Sequence, residues 1–208
     1  MKNIIKALCL TFILCVGVFT QTNTDEYKKN EFYVGYVNQQ TDSFRNRTSH
    51  GAEASYVRNI SRYFGIKGDF SAVFQKSNFN GTVLDLNGNP TPFNFENRNS
   101  RYNFLGGIQI KDNASKARFK PFVHALAGVA VNRTTSENLA CTTSTCPPIS
   151  ALAVSFQTTN FSVALGGGLD IKINERLDFR AFQVDYNPIF GLGSYRNSVR
   201  IGVGFVIK

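Results

Sequence analysis

The chain has 208 residues, 42% of them hydrophobic and 18% charged, with a mean hydropathy of −0.16 and a formal net charge of +9. That length holds one domain of the usual size, about 100–200 residues, and the composition excludes intrinsic disorder and any collagen-like period. Nineteen Phe and eight Tyr beside 17 Gly favour many short strands and turns over a helical bundle.

Residues 1–22 read as an export signal. Lys2 and Lys6 form a positive leader, and the uncharged apolar run from Ala7 to Phe19 falls short of the roughly 20 residues a spanning helix needs. The cut is expected between about residues 17 and 22. Cys15 follows the bulky Phe12, Ile13 and Leu14, which disfavours a lipoprotein signal. Of the formal +9, two charges leave with Lys2 and Lys6, so the mature chain carries +7 and keeps Cys141 and Cys146. Those two lie in CTTSTC, and in an exported protein a local disulfide between them is expected. The C-x-x-C spacing of a redox or zinc site is absent there, and no metal site is expected.

After a short periplasmic lead over 23–30, segments of about 9–17 residues alternate in polarity, the period-2 mark of strands with two unlike faces. Along the segment starting at Phe64, Phe64, Ile66, Phe70 and Phe74 share one face; Lys67, Asp69, Ser71 and Gln75 share the other. From Phe161, the apolar set is Val163, Leu165, Leu169 and Ile171, opposed by Ser162, Ala164, Gly166, Gly168 and Asp170. From Ser198, Val199, Ile201, Val203, Phe205 and Ile207 oppose Arg200, Gly202 and Gly204. The polar faces are rich in Gly, Ala and Ser with sparse charge. That suits the narrow interior of a small barrel better than a water-facing sheet, so the apolar faces are expected to meet lipid.

Strands are predicted over 31–39, 50–59, 62–75, 100–111, 117–132, 157–173, 176–186 and 197–207. The connections then alternate, short at 60–61, 112–116 and 174–175, long at 40–49, 76–99, 133–156 and 187–196. Long loops on one rim and tight turns on the other define an all-β, eight-stranded antiparallel up-and-down transmembrane β-barrel over 31–208. Aromatic residues fall near the strand ends, with Phe74, Tyr102, Phe161 and Tyr186 on the long-loop rim and Phe64, Phe119, Phe179 and Phe205 on the other, as interfacial girdles require. One strand breaks parity: keeping Arg180, Gln183 and Asp185 all inside requires a bulge near Ala181–Phe182.

PFVHALAGVAV, FSVALGGGLDIKI, RLDFRAFQVDY and the closing RIGVGFVIK resemble the small outer-membrane β-barrel family that includes the OmpA-like transmembrane domain. The resemblance spans 31–208 and implies a bacterial outer-membrane location, long loops outside and short turns in the periplasm. It also implies a barrel-assembly signal at Arg200, Gly202, Phe205 and Ile207, and with it contact with the outer-membrane barrel assembly machinery. The family usually closes on an aromatic residue, whereas this sequence closes on Ile207-Lys208. No peptidoglycan-binding domain follows, so cell-wall anchoring is not expected.

The predicted lumen holds Glu53, Lys67, Asp69, His124, Asp170, Lys172, Arg180, Asp185 and Arg200. Charges of both signs in a narrow barrel are expected to pair, because an unpaired buried charge costs several kcal/mol. Ser49, His50 and Glu53 raise a hydrolase reading, but neighbours on an extended chain point to opposite sides, and His124 lacks the HxSN pattern of lipid A deacylases. Gly166-Gly167-Gly168 lacks the GK[ST] ending of a phosphate loop. No catalytic residue and no cofactor are assigned.

Seven basic residues (Arg58, Arg62, Lys111, Lys116, Arg118, Lys120 and Arg176) face two acidic ones on the turn side, and six face four in the long loops. These basic residues do not form a nucleic-acid interface. The expected partners are outer-membrane lipids, the assembly machinery and an extracellular ligand. The leading function is structural or surface interaction through the long loops, with a minor pore for small solutes and a lipid-modifying enzyme as the alternatives.

Overall fold

A computed structural model of the chain describes residues 27–41, 47–84, 88–141, 155–191 and 194–208. The ten strands run β1 (Asn30–Thr41), β2 (Arg47–Asn59), β3 (Phe64–Leu84), β4 (Pro90–Lys111), β5 (Phe119–Cys141), β6 (Ser155–Lys172), β7 (Leu177–Tyr186), β8 (Ile189–Gly191), β9 (Ser194–Arg196) and β10 (Ser198–Ile207). All pairings are antiparallel. β1 to β7 pair in sequence and β10 closes the sheet onto β1 from Phe32↔Ile207 to Thr41↔Ser198, so eight strands make a closed barrel. β8 and β9 form a small hairpin laid on the long-loop end of β6.

Closure leaves each strand with one face in and one face out, and the side chains sort as the sequence alternates. On β10 the burial alternates without a break, with Arg200 inside and Ile201, Val203, Phe205 and Ile207 outside. The bulge falls where Arg180, Gln183 and Asp185 require it: Asp170 pairs with Arg180 and Leu169 with Phe182, which leaves Ala181 as the extra residue. That insertion returns Gln183 and Asp185 to the interior, and both are buried.

The turn-side connections are stabilised locally. The Ser61 hydroxyl accepts from the Phe64 amide at 3.1 Å, Asp112 Oδ1 accepts from the Ala114 amide at 3.2 Å, and Asn174 Oδ1 accepts from the Arg176 amide at 2.8 Å.

The long-loop end differs from the prediction. Residues 76–84 and 90–99, assigned to a loop, continue β3 and β4 as a paired ladder from Lys76↔Arg98 to Leu84↔Pro90, and β5 runs on to Cys141. Above the lipid belt neither face must be apolar, so the period-2 signal fades while cross-strand pairing persists. Gly88, at φ +82°, lies between β3 and β4 in a conformation that side-chain-bearing residues rarely adopt. The export signal at 1–22 and the Cys146 half of the expected disulfide lie outside the described residues, as does the Cys141 side chain.

Candidate functional site

The lumen is filled by side chains, as an eight-stranded interior permits. At the turn end, Lys208 Nζ bonds the buried Asp178. Next, Lys111 Nζ bridges Glu31 and Asp170, the latter at 3.2 Å. Arg180 donates to both oxygens of Asp170, from Nε at 2.8 Å and Nη2 at 3.2 Å. Its guanidinium also lies between two rings, 4.4 Å from the centroid of Tyr33 and 4.0 Å from that of Phe122.

Arg180 Nη1 reaches Gln183 at 2.7 Å, and Gln183 donates to Glu53 and Asp185 at 2.8 Å each. Arg200 joins three strands, donating to Asp185 at 2.7 Å, Asp69 at 2.9 Å and the Ser71 hydroxyl at 3.1 Å. Lys67 lies 3.7 Å from Asp69, and His124 Nε2 lies 2.8 Å from Asp185. Gly166 leaves the space this layer needs, since a Cβ there would fall 2.1 Å from Asp185 Oδ1. Higher still, Gln39 donates to Asn187 at 3.0 Å and to Ser198 at 2.9 Å, a layer of neutral groups.

The structure thus brings Glu53, Lys67, Asp69, His124, Asp170, Arg180, Asp185 and Arg200 into one buried network. Lys172 is not part of it: this side chain sits at the turn rim against the exposed Glu175. Lys111 and Lys120, counted above among the turn-side charges, are instead buried. The sequence reading missed Glu31 and Gln109 as interior groups. Parity was the available signal, because Glu31 shares a face with Tyr33 and Gln39, Lys111 with Gln109 and Asn103, and Lys120 with His124. Within the family-implied assembly signal, Arg200 points into the lumen, a Cβ on Gly202 would meet Tyr33 and Glu53, and Phe205 and Ile207 face outward. Lys208, where the family usually has an aromatic residue, folds its ammonium inward to Asp178.

The outer surface inverts the rule for soluble proteins. Val34, Ile66, Phe70, Phe104, Ile108, Val123, Leu165, Val184 and Ile201 are all exposed around the wall. Rings cluster toward its ends, Phe74 with Tyr102 and Phe161 with Phe190 on the long-loop side, Phe179 with Phe205 on the turn side. Ser49 and His50 diverge: Ser49 lines a cavity at the barrel mouth, while the exposed His50 Nδ1 meets the Tyr36 hydroxyl and lies 3.2 Å from Asn38 Nδ2.

A closed barrel with a charged interior and an apolar wall is the architecture of transmembrane β-barrels. In fold, the chain is a closed eight-stranded antiparallel barrel similar to those of small outer-membrane proteins. The attachment invasion locus protein Ail of Yersinia pestis, solved in complex with the heparin analogue sucrose octasulfate, superposes with a TM-score of 0.52 at 13% identity, covering 86% of this chain and 97% of that one. Neisserial surface protein A superposes with a TM-score of 0.53 at 11% identity, covering 88% of this chain and 99% of that one. No protein-family model matches the sequence, and no curated protein matches it.

Proposed function

We propose that the chain is an integral protein of the bacterial outer membrane, with its long strands and loops outside and its short turns in the periplasm, acting as a surface-interaction protein. The observation that carries this reading is the height of one side of the barrel. β3, β4 and β5 have 21, 22 and 23 residues, about twice the 9–11 needed to cross a bilayer. The β2 ladder ends at His50↔Phe74, so residues 75–84 rise for about 30 Å with β4 on one side and, among the described residues, no strand on the other. Such an edge offers backbone donors and acceptors to an added strand of a partner protein.

The pore alternative is disfavoured by the filled lumen, where carboxylates and basic groups interlock across the whole section. The enzyme alternative is disfavoured by the divergence of Ser49 and His50, and we take the chain to be non-catalytic. Outer-membrane lipids and the assembly machinery are its expected partners during insertion.

The test replaces residues 76–98 with a two-residue turn. The shortened chain should still insert and show heat-modifiable migration in SDS gels, while adhesion of a non-adherent host bacterium displaying it falls to background. Unchanged adhesion, or discrete channels from the intact protein in a planar bilayer, would count against this reading.

A further inference from the structure

We propose that the barrel mouth is a binding pocket for one oxyanion, a phosphate or sulfate ester carried on a single sugar-sized ring. A cavity of about 210 Å³ lies at the long-loop end, lined by Arg101, Arg133 and Arg196 together with Gln75, Asn99 and Asn132. Among the described residues, the other lining side chains are hydroxyls, apart from Val73, and none is a carboxylate. By the same measure a water needs about 10–15 Å³, and pockets that enclose drug-sized ligands run to about 300–1,000 Å³. The space therefore fits one ring with one charged group.

The contrast with the lumen below gives the charge its meaning. There, Arg180 binds Asp170, and Arg200 binds Asp69 and Asp185. At the mouth, Arg101 Nε donates to Asn132 at 2.7 Å and Nη1 to the Thr41 hydroxyl at 3.0 Å. These bonds fix the guanidinium plane between β4, β5 and β1 before any ligand arrives. Arg133 and Arg196 have no acidic partner among the described residues. Guanidinium groups beside amides and hydroxyls suit sulfate or phosphate oxygens, which accept from all three, and would repel an amine.

The pocket has a floor. Val73 is buried at its base, and the next layer down holds Ser71, Asn103 and Arg200 in contact. A ligand enters and leaves by the mouth, so the group bound is an end group or pendant ester and not a chain threaded through the barrel. The inference stands on this cavity and is independent of whether the sheet above it binds a protein.

Two sources share this chemistry, a phosphorylated glycolipid of the same membrane and a soluble ester from outside. The experiment is calorimetric titration of the full mature chain, refolded in detergent without lipopolysaccharide, with glucose 6-phosphate, glucose 6-sulfate and glucose. The esters should bind at least tenfold tighter than glucose, and more weakly as salt rises. Arg101→Gln with Arg196→Gln should weaken ester binding at least tenfold while heat-modifiable migration is retained. If that pair fails to fold, Arg196→Gln alone, at an exposed position, should weaken it at least threefold. Ester binding no tighter than glucose, or unchanged by substitution in the folded variant, would overturn the proposal. Adding lipid A to the micelles separates the sources: displacement of the sugar ester assigns the site to the membrane's own glycolipid, and its absence assigns it to a soluble ligand.

Discussion

The lower barrel and the sheet raised above it are built from the same strands but use polar groups differently. Inside the barrel, six buried carboxylates (Glu31, Glu53, Asp69, Asp170, Asp178 and Asp185) meet buried Lys67, Lys111, Lys120, Arg180 and Arg200 and the inward Lys208, with no bulk water to screen them. On the raised part of β3, β4 and β5, side-chain contacts are neutral or half-exposed: Thr134 donates across to Asn99 at 2.7 Å and Ser136 to Asn97 at 2.8 Å, while Glu96 meets Arg98 of its own strand and Lys76 of β3. Removing one charge from the first region strands its partners; removing one from the second lets water replace it. The lower region is therefore fixed by energetics, and the upper tolerates change.

The largest effect is expected from Arg200→Met, which deprives Asp69 and Asp185 of their shared guanidinium. Breaking a buried pair from one side costs about 3–5 kcal/mol. Lys67 beside Asp69 and His124 beside Asp185 keep the loss toward the lower end of that range. Urea unfolding in liposomes measures it. A loss below 1 kcal/mol would mean that water reaches this layer and that the contrast between the two regions is false.

Next in size is the wall. Leu165 and Phe161 on β6 are equally exposed, 51% and 52%, so area cannot separate them. Depth can, because four residues, about 13 Å of strand, carry Leu165 from the aromatic rim toward mid-membrane. Leu165→Arg should cost about 2–4 kcal/mol and Phe161→Arg about 0–1 kcal/mol in a bilayer. Equal small losses in liposome unfolding would show that Leu165 does not face hydrocarbon.

The same contrast explains what was legible in the sequence. All eight barrel strands could be read because lipid and lumen impose opposite demands on alternate residues; Leu165 against Ala164 is a strong signal. Even the bulge at Ala181 was legible, since Asp178 and Arg180 conflict in parity with Gln183 and Asp185. Where lipid ends, so does the signal. Asn78, Asn80 and Gly81 read as loop, yet they pair with Glu96, Asn94 and Phe93. Lys111 and Lys120 were misplaced because strand-end lysines usually reach water, and only the three-dimensional position of Glu31, Asp170 and Asp178 shows what draws them inside. Arg101 could not be assigned to a pocket, since its partners Thr41 and Asn132 come from strands distant in sequence.

On the raised sheet, Glu96→Gln removes the anion between Arg98 at 3.0 Å and Lys76 at 3.5 Å. Exposed pairs of this kind contribute about 0.2–1 kcal/mol, so unfolding in liposomes should shift by no more than that and fade in 0.5 M salt. A loss comparable to that of Arg200→Met would erase the distinction between the two regions.

The smallest effect belongs to the turn side, where Arg62 Nε and Nη2 donate to the two oxygens of Asp112 at 3.1 and 3.2 Å. The hydrogen bond from Arg62 holds the Asp112 carboxyl below its ordinary value of 3.8. A depressed carboxylate stabilises the folded state above the unfolded pKa, and the contribution is lost as pH falls through the folded one. With both side chains more than a third exposed, 39% and 38%, solvent screening limits the contribution to at most about 1 kcal/mol. Asp112→Asn should therefore lower stability slightly at pH 7, and the difference should shrink as the pH falls through the folded-state pKa of the carboxyl. Unfolding free energies of both proteins across that range, measured in liposomes, decide it. A gap that widens toward acid would reverse the sign and show that Asp112 is stabilised in its protonated form.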